Sequence, residues 1–393
     1  MGSGKTTWAI NQLINKGEEN ILFVTPYCDE CARIQRSARK KIHIPKQLGD
    51  GKLGNLGDML QDQLDIASTH ALFKMLDDRC KIAIENGNYT LILDETIDAV
   101  SPYHFQRKDD YRNLLERQDI SVDENGLVQW TGKNYDTRYN DVRLLAQNKC
   151  LFRVDDKFFL WHYPIDVFKL FKQVFILTYM FDGSYMKPYF DYYGINYRLK
   201  SVKQIDDRYA LVDYIQPKPS RCKNKINIYE GNLNDTIEEK STALSSSWFK
   251  SRYHKNDVIR LKNNIFNYVH NITKAKSSDV LWTTFKPFQT HLRGKGYTKG
   301  FLSCNARATN EYADRTVLIY ALNWFPNPEI VKFFKKRDIA ISADAIALSN
   351  MVQWVWRSAI RNGESISIYI PSKRMRELFK KWLNDVAPSV PDV

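Results

Sequence analysis

The residues most able to do chemistry stand at the start of the chain, in Met1-Gly2-Ser3-Gly4-Lys5-Thr6-Thr7. They match the G-K-[ST] half of the phosphate-binding pattern G-x-x-x-x-G-K-[ST]. Glycines let successive backbone N–H groups close around phosphate oxygens. A lysine reaches the β- and γ-phosphates, a hydroxyl takes a place on Mg²⁺, and the helix that begins there turns its positive end toward the anion. Gly2, Ser3, Gly4, Lys5, Thr6 and Thr7 are therefore the expected nucleotide contacts, with Lys5 the phosphate lysine and Thr6 the magnesium hydroxyl. A flexible Gly/Ser-rich start has the same composition. The adjoining residues favour the loop: Trp8–Ile14 reads as an amphipathic helix and Ile21–Thr25 as a buried strand. The opening strand and first glycine of the pattern are missing from this sequence or lie outside it.

A second group with chemistry in it is Leu91-Ile92-Leu93-Asp94-Glu95-Thr96, an acidic pair closing an apolar strand. Asp94 is placed to hold Mg²⁺ through water, and Glu95 to polarise an attacking water. Alone, such a pair is commonly a solvated loop. About 90 residues after Gly4-Lys5-Thr6, it points to ATP or GTP hydrolysis.

A third is Gln353-Trp354-Val355-Trp356-Arg357-Ser358-Ala359-Ile360-Arg361. Guanidinium groups delivered from a distant part of the chain stabilise charge that builds on a γ-phosphate. The two arginines are four apart, which on a helix puts both on one face. Alone, the stretch reads as a surface helix with ordinary salt-bridging arginines. Ser372-Lys373-Arg374-Met375-Arg376 is basic enough to touch phosphate, or is a solvated helix start. Cys28 and Cys31 form one C-x-x-C with no second pair, so a structural role outweighs zinc or redox work. His70, His104 and His162 are scattered, which argues against a metal-histidine site.

The whole chain has 393 residues, long enough for two or three domains, and carries 58 basic against 45 acidic side chains, a net charge of +13. That balance favours a polyanionic partner, and the 13% aromatic content suits stacking on single-stranded bases. No run of about 18 apolar residues argues for a membrane span. With no leader and no disulfide framework, a cytoplasmic protein is expected, in the host cytoplasm if phage-encoded.

The elements that must position these groups alternate strand and helix, an α/β signature. Over the first 200 residues the strands are Ile21–Thr25, Leu64–Ala67, Tyr89–Leu93 and Val174–Thr178, with helices at Asp29–Lys41 and Leu72–Glu85 and a glycine-rich turn at Gly49–Gly57. Residues 101–164 loosen into polar sequence with hairpins at Ile120–Trp130 and Cys150–Tyr163, and read as an insertion. Residues 201–225 read as a polar linker, with Asp206-Asp207 solvated. A second block over 226–393 has strands at Lys225–Tyr229, Val280–Thr284, Lys299–Ser303, Thr316–Tyr320 and Ser365–Ile370, and helices at Val258–Ile272, Ile346–Ile360 and Arg374–Leu383.

In this order the motifs resemble the superfamily 2 helicases and translocases, of DEAD/DEAH-like and possible phage type, over most of the chain. Val24-Thr25-Pro26-Tyr27 and Ser68-Thr69-His70 are similar to that family's nucleic-acid backbone grips, and Asp94-Glu95 to its acidic box. Leu177-Thr178-Tyr179 stands at the coupling motif, with Tyr179 and Met180 replacing its small and hydroxyl residues. Leu281-Trp282-Thr283-Thr284-Phe285 resembles the first strand motif of the second domain. Asn305-Ala306-Arg307-Ala308-Thr309-Asn310-Glu311-Tyr312 resembles the nucleotide-coupling motif, with Ala308 for Gly and Asn310 for Asp. Gln353 to Arg361 resembles the final, arginine-bearing motif.

The resemblance implies two RecA-like P-loop NTPase domains in tandem, with a β-hairpin-containing insertion in the first. It implies ATP and Mg²⁺ as cofactors and a DNA or RNA partner, tracked along one strand, and leaves the oligomeric state open, a monomer included. Glu95, Gln353, Arg357 and Arg361 would then be catalytic, and Asn310 would touch the nucleotide. Thr25, Pro26, Thr69, Thr284 and Thr309 would grip the backbone. A viral terminase-like packaging ATPase, or a nucleotide-binding protein without turnover, shares the loop and acidic box. The first would add a cluster of nuclease carboxylates.

Overall fold

The computed structural model describes residues 4–134, 137–155, 157–235, 241–251, 255–306, 311–386 and 388. Three apolar runs build the first sheet: β1 (Ile21–Thr25), β2 (Ile66–Thr69) and β3 (Thr90–Asp94). β1 runs parallel to both neighbours, Leu22 opposite Ile66 and Leu91. Every residue of β1 is buried, as a parallel strand covered on both faces requires. Alternation sends Phe23 and Ile92 to one face, against Trp8, Ala9, Ile10 and Ile14 of the first helical segment, and Leu22, Val24, Leu91 and Leu93 to the other.

On that second face the glycine-rich turn expected at Gly49–Gly57 is instead helix, Gly51–Gln61. Leu56 and Leu60, four apart, are fully buried against the sheet, and this burial outweighs the low helix propensity of its glycines. The helix expected over Leu72–Glu85 is two, His70–Phe73 and Asp78–Asn86. Each is started by a side-chain cap, Thr69 for the first and Asp77 for the second.

Beyond β3 come β4 (Val100–Tyr103), β5 (Ile120–Val122), β6 (Val128–Trp130), β7 (Leu151–Arg153) and β8 (Phe159–His162). β5 and β6 pair antiparallel around Asn125-Gly126, with Gly126 at φ 79°. β4, β8 and β7 form a separate antiparallel sheet. The chain then returns as β9 (Gln173–Leu177), which pairs directly with β3 and sets Leu177 opposite Asp94. The first sheet is thus ordered β2-β1-β3-β9 and is wholly parallel.

The polar linker is not featureless. It contains an antiparallel ribbon, β10 (Lys200–Ile205) and β11 (Arg208–Asp213), with Val202 opposite Leu211. A second parallel sheet is built from β12 (Ile226–Ile228), β13 (Val280–Thr283), β14 (Val317–Tyr320) and β15 (Ile366–Tyr369), ordered β12-β15-β14-β13. The strand expected at Lys299–Ser303 is a short 3-10 turn with one bridge, Trp282 to Phe301. The architecture is mixed α/β with two parallel sheets.

The two halves share apolar core. The helix Pro328–Lys335 sends Ile330, Phe333 and Phe334 into the core of the first half. There Phe333 meets Phe152, His162 and Tyr192. Burying three such side chains is worth at most about 5–9 kcal/mol.

Candidate nucleotide site

Ligands of open parallel sheets sit beyond the carboxyl ends of the strands, and the charged residues gather there. Gly4 adopts a left-handed conformation, φ 75°, and begins the helix Lys5–Trp8. Thr6 Oγ1 donates to Asp94 Oδ1 at 3.4 Å. Burial lowers the pKa of Lys5, and the carboxylates of Asp94 and Glu95 oppose that shift. Burial and then Glu95 push Asp94 up to about 6, against the pull of Arg33 and Lys5. Glu95 is itself left-handed, φ 71°, a conformation costing a non-glycine residue roughly 1–2 kcal/mol. Its N–H donates to Leu177 O at 3.2 Å, so the pairing of β3 with β9 holds it in place. His70 Nε2 lies 3.1 Å from Asp94 O, and a carbonyl only accepts, so that nitrogen carries the proton.

From the second half come the arginines, by a route that the helical spacing misread. The helix expected over Ile346–Ile360 is Ala343–Val355, followed by a 3-10 turn, Ala359–Asn362. It stops because Ser358 is extended and the N–H of Ala359 is captured by Arg315 O at 2.9 Å. Arg357 and Arg361 therefore do not share a helix face. Arg357 lies in the break, 5% exposed, with Nη2 3.5 Å from Glu95 Oε1. Its Nε and Nη2 have no hydrogen-bond partner among the described residues. Arg361 is exposed; partial desolvation and then Arg357 lower its pKa, while Glu30 and Glu95 raise it.

Two residues of this crevice have no counterpart among the motifs. Glu30 and Arg33, on the helix Cys28–Ser37, form an ion pair at 2.6 Å. Their charges act on both Asp94 and Arg361. The available signal was their i, i+3 spacing in the first turns after β1, which places them beside the strand's carboxyl end.

The remaining candidates divide. Thr7 is exposed and Pro26 half-buried. Thr25 is fully buried; its Oγ1 donates to Tyr27 O at 3.0 Å and accepts from Tyr27 N at 3.3 Å. Thr69 Oγ1 accepts from Leu72 N, capping a helix. Thr284 is fully buried, with its hydroxyl unpartnered among the described residues. Gln353 Nε2 donates to Ser349 Oγ on its own helix. Gly2, Ser3, Thr309 and Asn310 lie outside the described residues.

Arg374 and Arg376 are neither phosphate contacts nor solvated. Arg374 binds Asp344, Asn323 and Trp324 O, and Arg376 binds Asn234 and Ile370 O. Cys31 is buried, its thiol pushed up to about 11 by burial and Cys28, which suits a structural thiol.

The residues fit Mg²⁺ and a nucleotide triphosphate. Thr6 and Asp94 place a hydroxyl beside a carboxylate, the hard oxygen donors magnesium takes. A buried guanidinium with two nitrogens lacking hydrogen bonds and one long ion pair is a costly arrangement that an anion relieves. Among the described residues no group of three or more His, Cys, Asp or Glu side chains gathers to hold a metal, and no helix is long and apolar enough to cross a membrane.

Residues 104–161 match the family model for the YonV middle domain, and residues 220–383 the YonV C-terminal Rossmann-like domain. The SPbeta prophage-derived uncharacterized protein YonV of Bacillus subtilis (strain 168) is 44% identical over 406 aligned residues. The match covers 98% of this chain and 97% of the relative. Among solved structures, an apo XPD aligns over 99% of this chain and 94% of its own at TM-score 0.50 and 11% identity. Xpd4 of S. tokodaii aligns over 98% and 92% at TM-score 0.50 and 13% identity. At those identities the likeness is one of fold.

Proposed function

We propose that this chain, which belongs to the YonV family, is an ATP-dependent helicase or translocase that uses Mg-ATP hydrolysis to move along or unwind DNA or RNA. Two RecA-like domains in tandem, the first carrying the 101–164 insertion, would form the motor. The observation that carries the reading is Arg357: a buried guanidinium from the second half, ion-paired with Glu95 of the first through Nη2, with neither Nε nor Nη2 hydrogen-bonded among the described residues. The fold likeness to XPD and the net charge of +13 support a nucleic-acid partner.

In this reading Lys5 and the N–H groups around Gly4 would bind the phosphates, and Thr6 and Asp94 would hold magnesium. When bound, Mg-ATP supplies the phosphoanhydride whose cleavage drives movement. Glu95 takes the proton of the attacking water on its carboxylate. Arg357 and Arg361 neutralise charge on the γ-phosphoryl oxygens. Because the arginines and the loop belong to different halves, the relative position of the halves sets whether the site is complete.

The test is ATPase rate with and without single- and double-stranded DNA and RNA across a salt series. We expect turnover stimulated by nucleic acid, with a steep salt slope. Lys5→Ala and Glu95→Gln should each cost on the order of 10²-fold or more in kcat/KM. Nucleotide binding without turnover in the wild-type chain would replace the motor with a binding protein. Metal-dependent DNA cleavage would favour a packaging motor.

A further inference from the structure

The ribbon β10–β11 lies on the nucleotide loop, and nothing in the motifs accounts for it. Antiparallel pairing sets Gln204 opposite Tyr209 and Val202 opposite Leu211, so these side chains share one face of the ribbon. From that face Val202 and Tyr209 join the core of Trp8, Ala9 and Ile10. The ring of Tyr209 is pressed against the α-carbon of Gly4. A Cβ built there would lie 2.6 Å from Tyr209 Cδ1 and Cζ and nearer still to Cε1. Gly4 is the left-handed residue immediately before Lys5.

A two-stranded ribbon is marginal by itself. Much of this one is exposed, Ile205 at 48% and Leu211 at 41% among its apolar residues. Its order therefore depends on docking against the loop and first helix. Conversely, the Tyr209 ring is a wall against which the loop is set. Each stabilises the other's geometry, which is a coupling free energy and acts in both directions.

We propose that Tyr209 is a positioning residue of the nucleotide loop, and that the 200–213 ribbon docks on the loop more firmly when nucleotide is bound. The inference rests on the nucleotide reading of Gly4 to Thr7. The ribbon lies in the stretch joining the two parallel sheets, so nucleotide occupancy reaches the junction between the halves through one aromatic contact.

The experiment uses the full chain. Mg-ATP titrations and steady-state ATPase compare wild type, Tyr209→Ala, Tyr209→Phe and Lys5→Ala, and hydrogen exchange tracks residues 208–212 with and without Mg-ATP. Tyr209→Ala should raise KM and Kd for ATP about tenfold with kcat changed less than about threefold, since it loosens a preorganised loop. Tyr209→Phe, which keeps the ring, should restore wild-type values. Mg-ATP should slow exchange at 208–212 in the wild type and not in Lys5→Ala. ATP affinity unchanged in Tyr209→Ala overturns the proposal, as does ribbon exchange indifferent to Mg-ATP in a wild type that binds it. If Tyr209→Ala does not fold, the wild-type exchange decides. Loss of binding in Lys5→Ala beside an indifferent Tyr209→Ala removes only the role of Tyr209, whereas a wild type that binds no Mg-ATP removes the site itself.

Discussion

Arg357 and Arg374 both come from the second half, both are largely buried, and they are treated oppositely. Arg374 closes the carboxyl edge of the second sheet with its hydrogen-bonding capacity largely spent inside it: Nε and Nη2 on Asp344 at 3.0 and 2.6 Å, Nη1 on Asn323 and Trp324 O at 2.9 Å. Arg357, at the carboxyl edge of the first sheet, has one ion pair at 3.5 Å and two nitrogens without a hydrogen bond among the described residues. A folded chain rarely leaves a buried guanidinium so poorly paired. Around Arg357 the neighbours are equally unrelaxed: Asp94 has its pKa raised and Glu95 is left-handed. One sheet edge is built for its own stability and the other tolerates strain, the pattern that strained functional sites follow.

The widest separation between the two arginines should appear in turnover. Arg357→Ala should lower kcat of the proposed ATPase about 10²–10³-fold with little change in melting temperature. Arg374→Ala should leave kcat per folded molecule within about threefold and cost about 1–3 kcal/mol of stability, chiefly by leaving Asn323 Oδ1 and Trp324 O without their donor, since Asp344 is partly solvated. Thermal melts beside ATPase assays check both, and the reverse pattern would break the distinction.

A smaller effect concerns Asp94. Its carboxyl rises from 3.8 to about 6, so between those values the folded chain holds a proton that the unfolded chain has lost. That contribution favours folding at low pH and is lost as pH rises through about 6. Asp94→Asn should therefore raise the melting temperature of the nucleotide-free protein by about 1–3 °C at pH 7, with the gain vanishing below the ordinary carboxylate pKa. A variant no more stable at pH 7 would show that the carboxylate is not strained. Smallest is Thr25→Val: its hydroxyl is spent on Tyr27, so nucleic-acid affinity should fall less than about threefold and the salt slope should stay unchanged. A loss of one unit of slope would restore Thr25 as a backbone grip.

Much of the first sheet was legible because its signals are local. Ile21–Thr25 and Tyr89–Leu93 are short apolar runs whose burial on both faces follows from composition, and an acidic pair at a strand end lands at the carboxyl edge of a parallel sheet wherever that sheet is packed. The misreadings were of competition between distant parts. Gly51–Gln61 is helical because Leu56 and Leu60 find the sheet, and the helix ahead of Arg357 ends because a carbonyl from Arg315 takes an N–H. Neither partner is near in sequence. The 201–225 stretch looked like linker because a two-stranded ribbon with one covered face carries little apolar periodicity.

The amino-acid sequence by itself therefore determined which groups the proposed nucleotide site draws on: loop glycine, lysine, hydroxyl, acidic pair and late arginines, each set by residues within a few positions. Only the tertiary structure decided which of them meet. It put Arg357 beside Glu95, introduced Glu30 and Arg33, turned Arg374 inward, and laid Tyr209 on Gly4. Backbone propensity acts over a turn or two, whereas an ion pair between residues 95 and 357 depends on how two sheets and the helix Pro328–Lys335 share a core.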